Sequence, residues 1–431
     1  MGSAEEWAKR DAAVVWHGFT QMACYAENAP VIVESAEGHE LIDVDGRRYL
    51  DAISSLWVTT LGHRVPELDQ AVRDQLDRVA HSTMLGNGNR AAIELAEALA
   101  RVVPVDGPHF LFASDGAAAV EQALKIAFQY WVNRGVDGRT TYLTFGGGYH
   151  GDTVGGLSLG AGGFGTEIFD PLRFPVRRAP GFDDPRCFEL ATRMIAEHAH
   201  ELAAVVIEPL VQGAAGMQMA PPSAFAALSD ACREHAVLLV CDEVATGFGR
   251  TGTLFASEQC GLRPDLMCLG KGLTGGYLPQ SATVASQSVF DAFLGPDLSE
   301  QTLYHGHSYG GNALACAVAR RHLELLDELD VLANVRARSA ELQATLDERV
   351  APHPTVREVR LQGLMGGIEL APPRDGLRWG RRVCAAAVER GVLLRPLGDV
   401  VVVMPPLTIT SPELHGIVDA LTDALDEVAA S

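Results

Sequence analysis

The chain of 431 residues has no C-x-x-C pair. Its eight cysteines (24, 187, 232, 241, 260, 268, 316 and 384) are scattered, which excludes a zinc ribbon or a disulfide framework and fits a reducing cytoplasm. No metal site is expected. No apolar run approaches the ~20 residues of a membrane helix. The opening MGSAEEWAKRDAAVVW lacks the basic start and apolar run of a secretory leader, so none is expected, and Glu6 argues against myristoylation at Gly2. Basic residues are scarce: 34 Lys and Arg stand against 55 Asp and Glu, a net charge of −21 that disfavours nucleic acid or an anionic membrane as partner. The P-loop pattern G-x-x-x-x-G-K-[ST] is absent. So is G-x-G-x-x-G at the start of a βαβ unit, which removes a nicotinamide dehydrogenase. There is no internal repeat and no low-complexity linker.

What is present is a long alternation of short apolar runs and helical patterns. Strands are expected at 110–113, 142–145, 204–207, 237–241, 266–269 and 282–285, with helices between them, as at 118–134 and 222–235. The runs are continuously apolar, as in VLLVC at 237–241, which suits a largely parallel sheet covered on both faces. The ends differ. Strand-like VIVES and RRYLDAI flank Asp45-Gly46, a hairpin signal. Beyond a helical zone at 313–349, strands at 365–370 and 400–404 mix with helices. The expected organisation is α/β, with residues 61–334 as a large domain and residues 1–60 and 335–431 joining into a smaller α+β domain.

Four segments carry chemistry. In VLLVCDEVATGFGRTG an apolar strand ends at Asp242, and ligands of doubly wound sheets bind beyond such strand ends. On its own an acid there serves equally well as a backbone cap. In LMCLGKGLTGGYLP a second strand ends at Lys271 between two glycines, with Gly275-Gly276 following; alone, such a lysine is an ordinary surface residue. Together the two suit pyridoxal 5'-phosphate (PLP), whose aldehyde takes a lysine amine and whose ring nitrogen is held protonated by an acid. The segment FASDGAAAVEQALKIAFQYW ends a strand, turns at Ser114-Asp115-Gly116-Ala117 and opens a helix, offering amides to a phosphate or simply a helix cap. In FGGGYHGDT, Tyr149 follows three glycines and could stack on a flat ring, with His150 and Asp152 as polar neighbours.

In this combination and order the segments resemble the class III (fold type I) PLP aminotransferases across nearly the whole chain. The resemblance implies a mostly parallel sheet of seven strands flanked by helices. It implies Lys271 as the cofactor lysine and proton carrier, Asp242 at the ring nitrogen, and Val244 and Tyr149 on the two ring faces. Gly116 and Ala117 would donate to the phosphate, with His150 and Glu208 supporting the cofactor. A homodimer with shared sites is implied, Ser308 reaching the phosphate across it from HGHSYGGN at 305–312. The 82–90 segment STMLGNGNR is a second candidate for contact with the other copy. Trp57, Phe19, Asp152, Arg250, Gly306 and Arg395 would serve the substrate, Arg395 by gripping a carboxylate.

Within the family, WHGFTQM (16–22), YHGDTVG (149–155), DEVATGFGRTG (242–252) and LLRPLGDVVVVMPP (393–406) are most similar to members that aminate 8-amino-7-oxononanoate in biotin synthesis. Gly18 and Phe19 stand where members using S-adenosylmethionine often have Pro and Tyr, and Leu56-Trp57 where they often have two tryptophans. HGHSYGGN and GKGLTGGYLP look more like members that use L-lysine. The alternative is another ω-aminotransferase of the family, acting on a diamine or ω-amino acid with a 2-oxo acid.

Overall fold

The computed structural model of the chain describes every residue except 1, 26, 27, 29, 163, 164, 375 and 431. Near the start, β1 (Val33–Glu37), β2 (Glu40–Asp43) and β3 (Arg48–Asp51) form an antiparallel meander. The Asp45-Gly46 turn joins β2 to β3. There Gly46 adopts φ 82°, and the Asp43 carboxylate accepts the amides of Asp45 and Arg47 at 3.0 and 2.8 Å.

The large sheet contains β4 (His109–Ala113), β5 (Thr141–Phe145), β6 (Arg177–Ala179) and β7 (Leu202–Ile207). A short hairpin of β8 (Val211–Gln212) and β9 (Gln218–Met219) stands apart. The sheet is completed by β10 (Leu238–Asp242), β11 (Leu266–Leu269) and β12 (Ser281–Ala285) in the order β4-β12-β11-β10-β7-β5-β6. Neighbours are parallel except at β12, which runs against both β11 and β4. The seven strands are therefore mostly parallel, as expected of fold type I.

Both faces are covered. Ala204, Val206 and Val240 pack under the helix Gly116–Asn133, with Ala119, Ala123 and Ile126 opposite them. Val205, Ile207 and Leu239 face the helices Cys187–His198 and Phe225–Glu234. Burial on both sides explains the uninterrupted apolar runs, each buried Val, Leu or Ile contributing about 1.5–3 kcal/mol.

The helical zone at 313–349 is two helices, Ala313–Glu328 and Val331–Arg349, separated where Asp330 takes φ 46°. Beyond them lie β13 (Val356–Gln362), β14 (Met365–Leu370), β15 (Val392–Leu393), β16 (Arg395–Leu397) and β17 (Val400–Val403). Four of these form a sheet in the order β13-β14-β17-β16, while β15 lies parallel beside β3 and completes the N-terminal sheet. No helix among the described residues is long and apolar enough to cross a membrane.

Candidate active site

Register brings two of the strand ends together. Asp242, the last residue of β10, pairs with Cys268 of β11, so Lys271 emerges three residues later at the same edge of the sheet. A cavity of about 660 Å³ opens there. Its wall contains Trp57, Gly116, Ala117, Tyr149, His150, Asp152, Glu208, Asp242, Val244 and Lys271.

Lys271 sits in a single turn of 3-10 helix, Lys271–Thr274, with its own φ at 43°. The turn lies so close to its neighbours that a Cβ on Gly272 would come within 3.2 Å of Phe248 Cβ and Thr60 Cγ2. Burial lowers the pKa of the Lys271 amine, opposed by the charges of Asp242 and Glu208. Asp242 is 5% exposed. One of its oxygens accepts the amide of Val244 at 3.1 Å, and the other lies 2.8 Å from His150 Nδ1. Burial alone would lower the pKa of His150; hydrogen bonding and charge from Asp242, with the charge of Glu208, outweigh it and raise it. Burial pushes Glu208 up to about 7, although Glu208 accepts the amides of Tyr149 at 3.1 Å and Gly213 at 3.4 Å. The Tyr149 hydroxyl donates to Asp152 at 3.1 Å, and burial raises its pKa.

At the other side of the cavity, Asp115 caps the helix Gly116–Asn133 by accepting the Ala118 amide at 2.9 Å. Helix geometry leaves the amides of the first turn, those of Gly116 and Ala117 included, without intrahelical acceptors. Small residues let three segments converge here: a Cβ on Gly116 would lie 2.5 Å from Val244 Cγ1, and one on Gly151 would lie 2.4 Å from Ala117 Cβ. Trp57 presents its ring centroid 5.1 Å from Lys271 Nζ.

Five of the expected residues do not line this cavity, among them Ser308, which the resemblance assigned to the other copy's site. Phe19 lines a second cavity of about 330 Å³ that shares Tyr149, Gly151 and Asp152 with the first. Arg173, Leu397, Gly398 and Val400 also wall this second cavity. Arg395, exposed on β16, lines neither cavity. Gly306 and Ser308 lie in an outer loop, where the Ser308 carbonyl accepts from His81 Nε2 at 2.8 Å and the Gly311 carbonyl accepts from Asn89 Nδ2 at 2.8 Å. The 82–90 and 305–312 segments thus pack on each other within one chain. Arg250 is 2% exposed and spends its donors on protein oxygens, so it does not line the substrate wall as expected. The family resemblance implied that place for it; here its guanidinium bonds two backbone carbonyls and the Ser54 hydroxyl instead. Sequence reasoning missed the His150–Asp242 pair. It singled out Gly275-Gly276 but not the residues after them, Tyr277 to Gln280, which also line the wall.

The donor set fits PLP. An amine whose pKa is lowered by burial, a buried acid with a neighbouring imidazole, free-ended helix amides and two broad side chains, Tyr149 and Val244, meet around one cavity.

The chain is also similar to known proteins. Residues 22–425 match the family "Aminotransferase class-III". A relative from Nitratidesulfovibrio vulgaris, an adenosylmethionine-8-amino-7-oxononanoate aminotransferase, is 47% identical over 96% of this chain and 80% of its own. A protein of the same name from Anoxybacillus flavithermus is 40% identical over 99% and 98%. The crystal structure of the Methanocaldococcus jannaschii protein of that name superposes with a TM-score of 0.95 at 38% identity, covering 99% of each chain. A PLP-bound amine transaminase from an uncultivated Pseudomonas species gives 0.91 at 32% identity, covering 96% of this chain and 99% of its own. With the lysine, the acid and the helix terminus disposed around one cavity, the chain belongs to the class III aminotransferases and is a PLP-dependent enzyme.

Proposed function

We propose that this aminotransferase converts 8-amino-7-oxononanoate to 7,8-diaminononanoate, a step of biotin synthesis, with L-lysine as amino donor. The acceptor rests on one observation: relatives named for that reaction resemble the chain over nearly its whole length, at 47% and 40% identity. The donor rests on residues. Gly18, Phe19 and Leu56 replace the Pro, Tyr and Trp often found in members that use S-adenosylmethionine, so a hydroxyl and a ring are missing from the donor side. S-adenosylmethionine, present in the relatives' names, is the second reading.

Bound PLP supplies an electron sink that lets a proton leave the carbon bearing the nitrogen. Lys271 would hold the cofactor and then, as a free amine whose pKa burial lowers, carry that proton at Nζ. Asp242 would keep the ring nitrogen charged, and His150 Nδ1 steadies its carboxylate. Gly116 and Ala117 would hold the phosphate; Val244 and Tyr149 would sandwich the ring; Glu208 would anchor the Tyr149 backbone beside it. Trp57, Phe19 and Asp152 would border the substrate, and Arg395 would take its carboxylate in a planar fork. In a cytoplasmic homodimer, Gly306 and Ser308 would serve the neighbouring copy's site.

A half-reaction tests this. The PLP-loaded protein is mixed with L-lysine or with S-adenosylmethionine, the visible cofactor band is followed, and the acceptor is then added. L-lysine should bleach the band, and 7,8-diaminononanoate should form. Bleaching by S-adenosylmethionine alone would overturn the donor, and no diaminononanoate with either compound would overturn the acceptor.

A further inference from the structure

The segment that carries Trp57 is strained. Ser54, Ser55 and Trp57 adopt φ of 51°, 59° and 65°, the left-handed region that glycine favours, yet none is glycine. Such backbone persists only when its surroundings hold it, and here two buried charged residues do so from two sides. Asp51, fully buried, accepts the Ser55 amide with both oxygens at 2.8 and 2.7 Å, and lies 3.0 Å from His63 Nε2. Arg250 donates to Ser54 Oγ at 3.3 Å, to the Thr59 carbonyl at 3.2 Å and to the Pro405 carbonyl. Ser54 Oγ in turn donates to the Met404 carbonyl at 2.7 Å, which ties the segment to the chain beyond β17. The result is a Trp57 ring packed so tightly that a Cβ on Gly213 would lie 3.0 Å from its Cζ3, with its centroid 5.1 Å from Lys271 Nζ.

We propose that Arg250 and Asp51 are positioning residues: acting through the Ser54–Thr59 segment, they hold Trp57 against the Lys271 amine, and neither touches substrate. The inference rests on the aminotransferase site and not on the identity of acceptor or donor. Arg250 is suited to the task because its planar fork reaches several carbonyls at once, which a lysine ammonium cannot reproduce.

Two measurements test it. The first needs no substrate. In the protein without PLP, hydrogen exchange at the Ser55 amide should speed up about tenfold or more in both Arg250→Gln and Asp51→Asn while the β7 and β10 amides keep their protection. Unchanged exchange at Ser55 would sink the clamp and leave the acceptor reading intact. The second is a double-mutant cycle with Trp57→Ala on the rate of the amino-donor half-reaction. Arg250→Gln alone should slow it by up to about 10²-fold, the cost of a misplaced wall, with Arg250→Lys failing to restore it. In the Trp57→Ala background the same change should cost less than about twofold, because its route of action is gone. Multiplicative losses would mean that Arg250 acts on substrate directly and would refute the proposal. Should Arg250→Gln fail to fold, Ser54→Ala removes one acceptor of the clamp while keeping both charged side chains, and the same pattern is expected at smaller size.

Discussion

Replacing Gly116 with Ala isolates the tight approach on which the cofactor cavity depends. The backbone at Gly116 does not require glycine, since it is not among the positive-φ residues, and alanine would favour the helix that starts there by up to about 1 kcal/mol. The new Cβ would nonetheless meet Val244 Cγ1 at 2.5 Å and Cγ2 at 3.1 Å. That is about 1 Å inside the ~3.5 Å at which carbon atoms attract. Val244 has little room to yield. It is branched at Cβ, and its amide is held by Asp242 at 3.1 Å. Overpacking of this kind costs about 1–3 kcal/mol, more than the helix gains. The strain is relieved by pushing Val244 into the space that the PLP ring needs, so about 2 kcal/mol should be lost from cofactor binding, about thirtyfold in Kd. Titration of the PLP-free protein, followed by the visible band, measures it. Val244→Ala should make the second change nearly free, less than about twofold in Kd. An unchanged Kd for Gly116→Ala, or the same penalty in the Val244→Ala background, would show that the two groups are not in contact in solution.

Three further outcomes follow from the buried charges. Asp242→Asn should still bind PLP but lose about 10²-fold or more in turnover, because the charge opposite the ring nitrogen is gone; near-normal rates would remove that role. The same variant should lower the pKa of His150, read by NMR titration. In the parent, the raised pKa of His150 gives stability that is present below its unfolded value and lost as pH climbs through the folded one, and this dependence should vanish in Asp242→Asn. Glu208 has the opposite character. Its carboxyl is raised from 4.5 to about 7, so the native state binds more protons than the unfolded chain between those values and stability falls as pH rises. Glu208→Gln should flatten that fall, on the order of 3 kcal/mol at about 1.4 kcal/mol per unit, in denaturant melts from pH 4 to 8. Parallel curves for parent and variant would contradict a buried, titrating Glu208.

Much of the large sheet was legible because its interior strands are apolar throughout. The expected runs at 204–207 and 266–269 sit inside or on β7 and β11, and the other four differ from the observed strands by a residue or so. β6 was not legible. Arg177-Arg178-Ala179 has no apolar run, which an edge strand does not need, since only β5 pairs with it. The break at Asp330 was hidden for a different reason: a non-glycine residue in left-handed backbone leaves no compositional trace. In the site, Lys271 and Asp242 could be read from glycine-flanked strand ends. The link from His150 to Asp242 could not, because it joins residues brought together only when β5 and β10 take their places in the sheet. Arg250 was placed beside the substrate by resemblance alone, and only the fold reveals that its terminal nitrogens bond two backbone carbonyls and the Ser54 hydroxyl.

The pairing of β15 with β3 sets a timetable for biosynthesis. Leu50 meets Val392, so the opening meander finds its fourth strand only after every strand of the large sheet has been made. At 5–20 residues per second the wait is roughly 20–70 s. During that interval the flank of β3 is an unclaimed row of hydrogen-bonding groups, open to any other nascent strand or to a holding chaperone. A chain cut short before residue 392 would lack β15 and leave this edge of β3 without its partner.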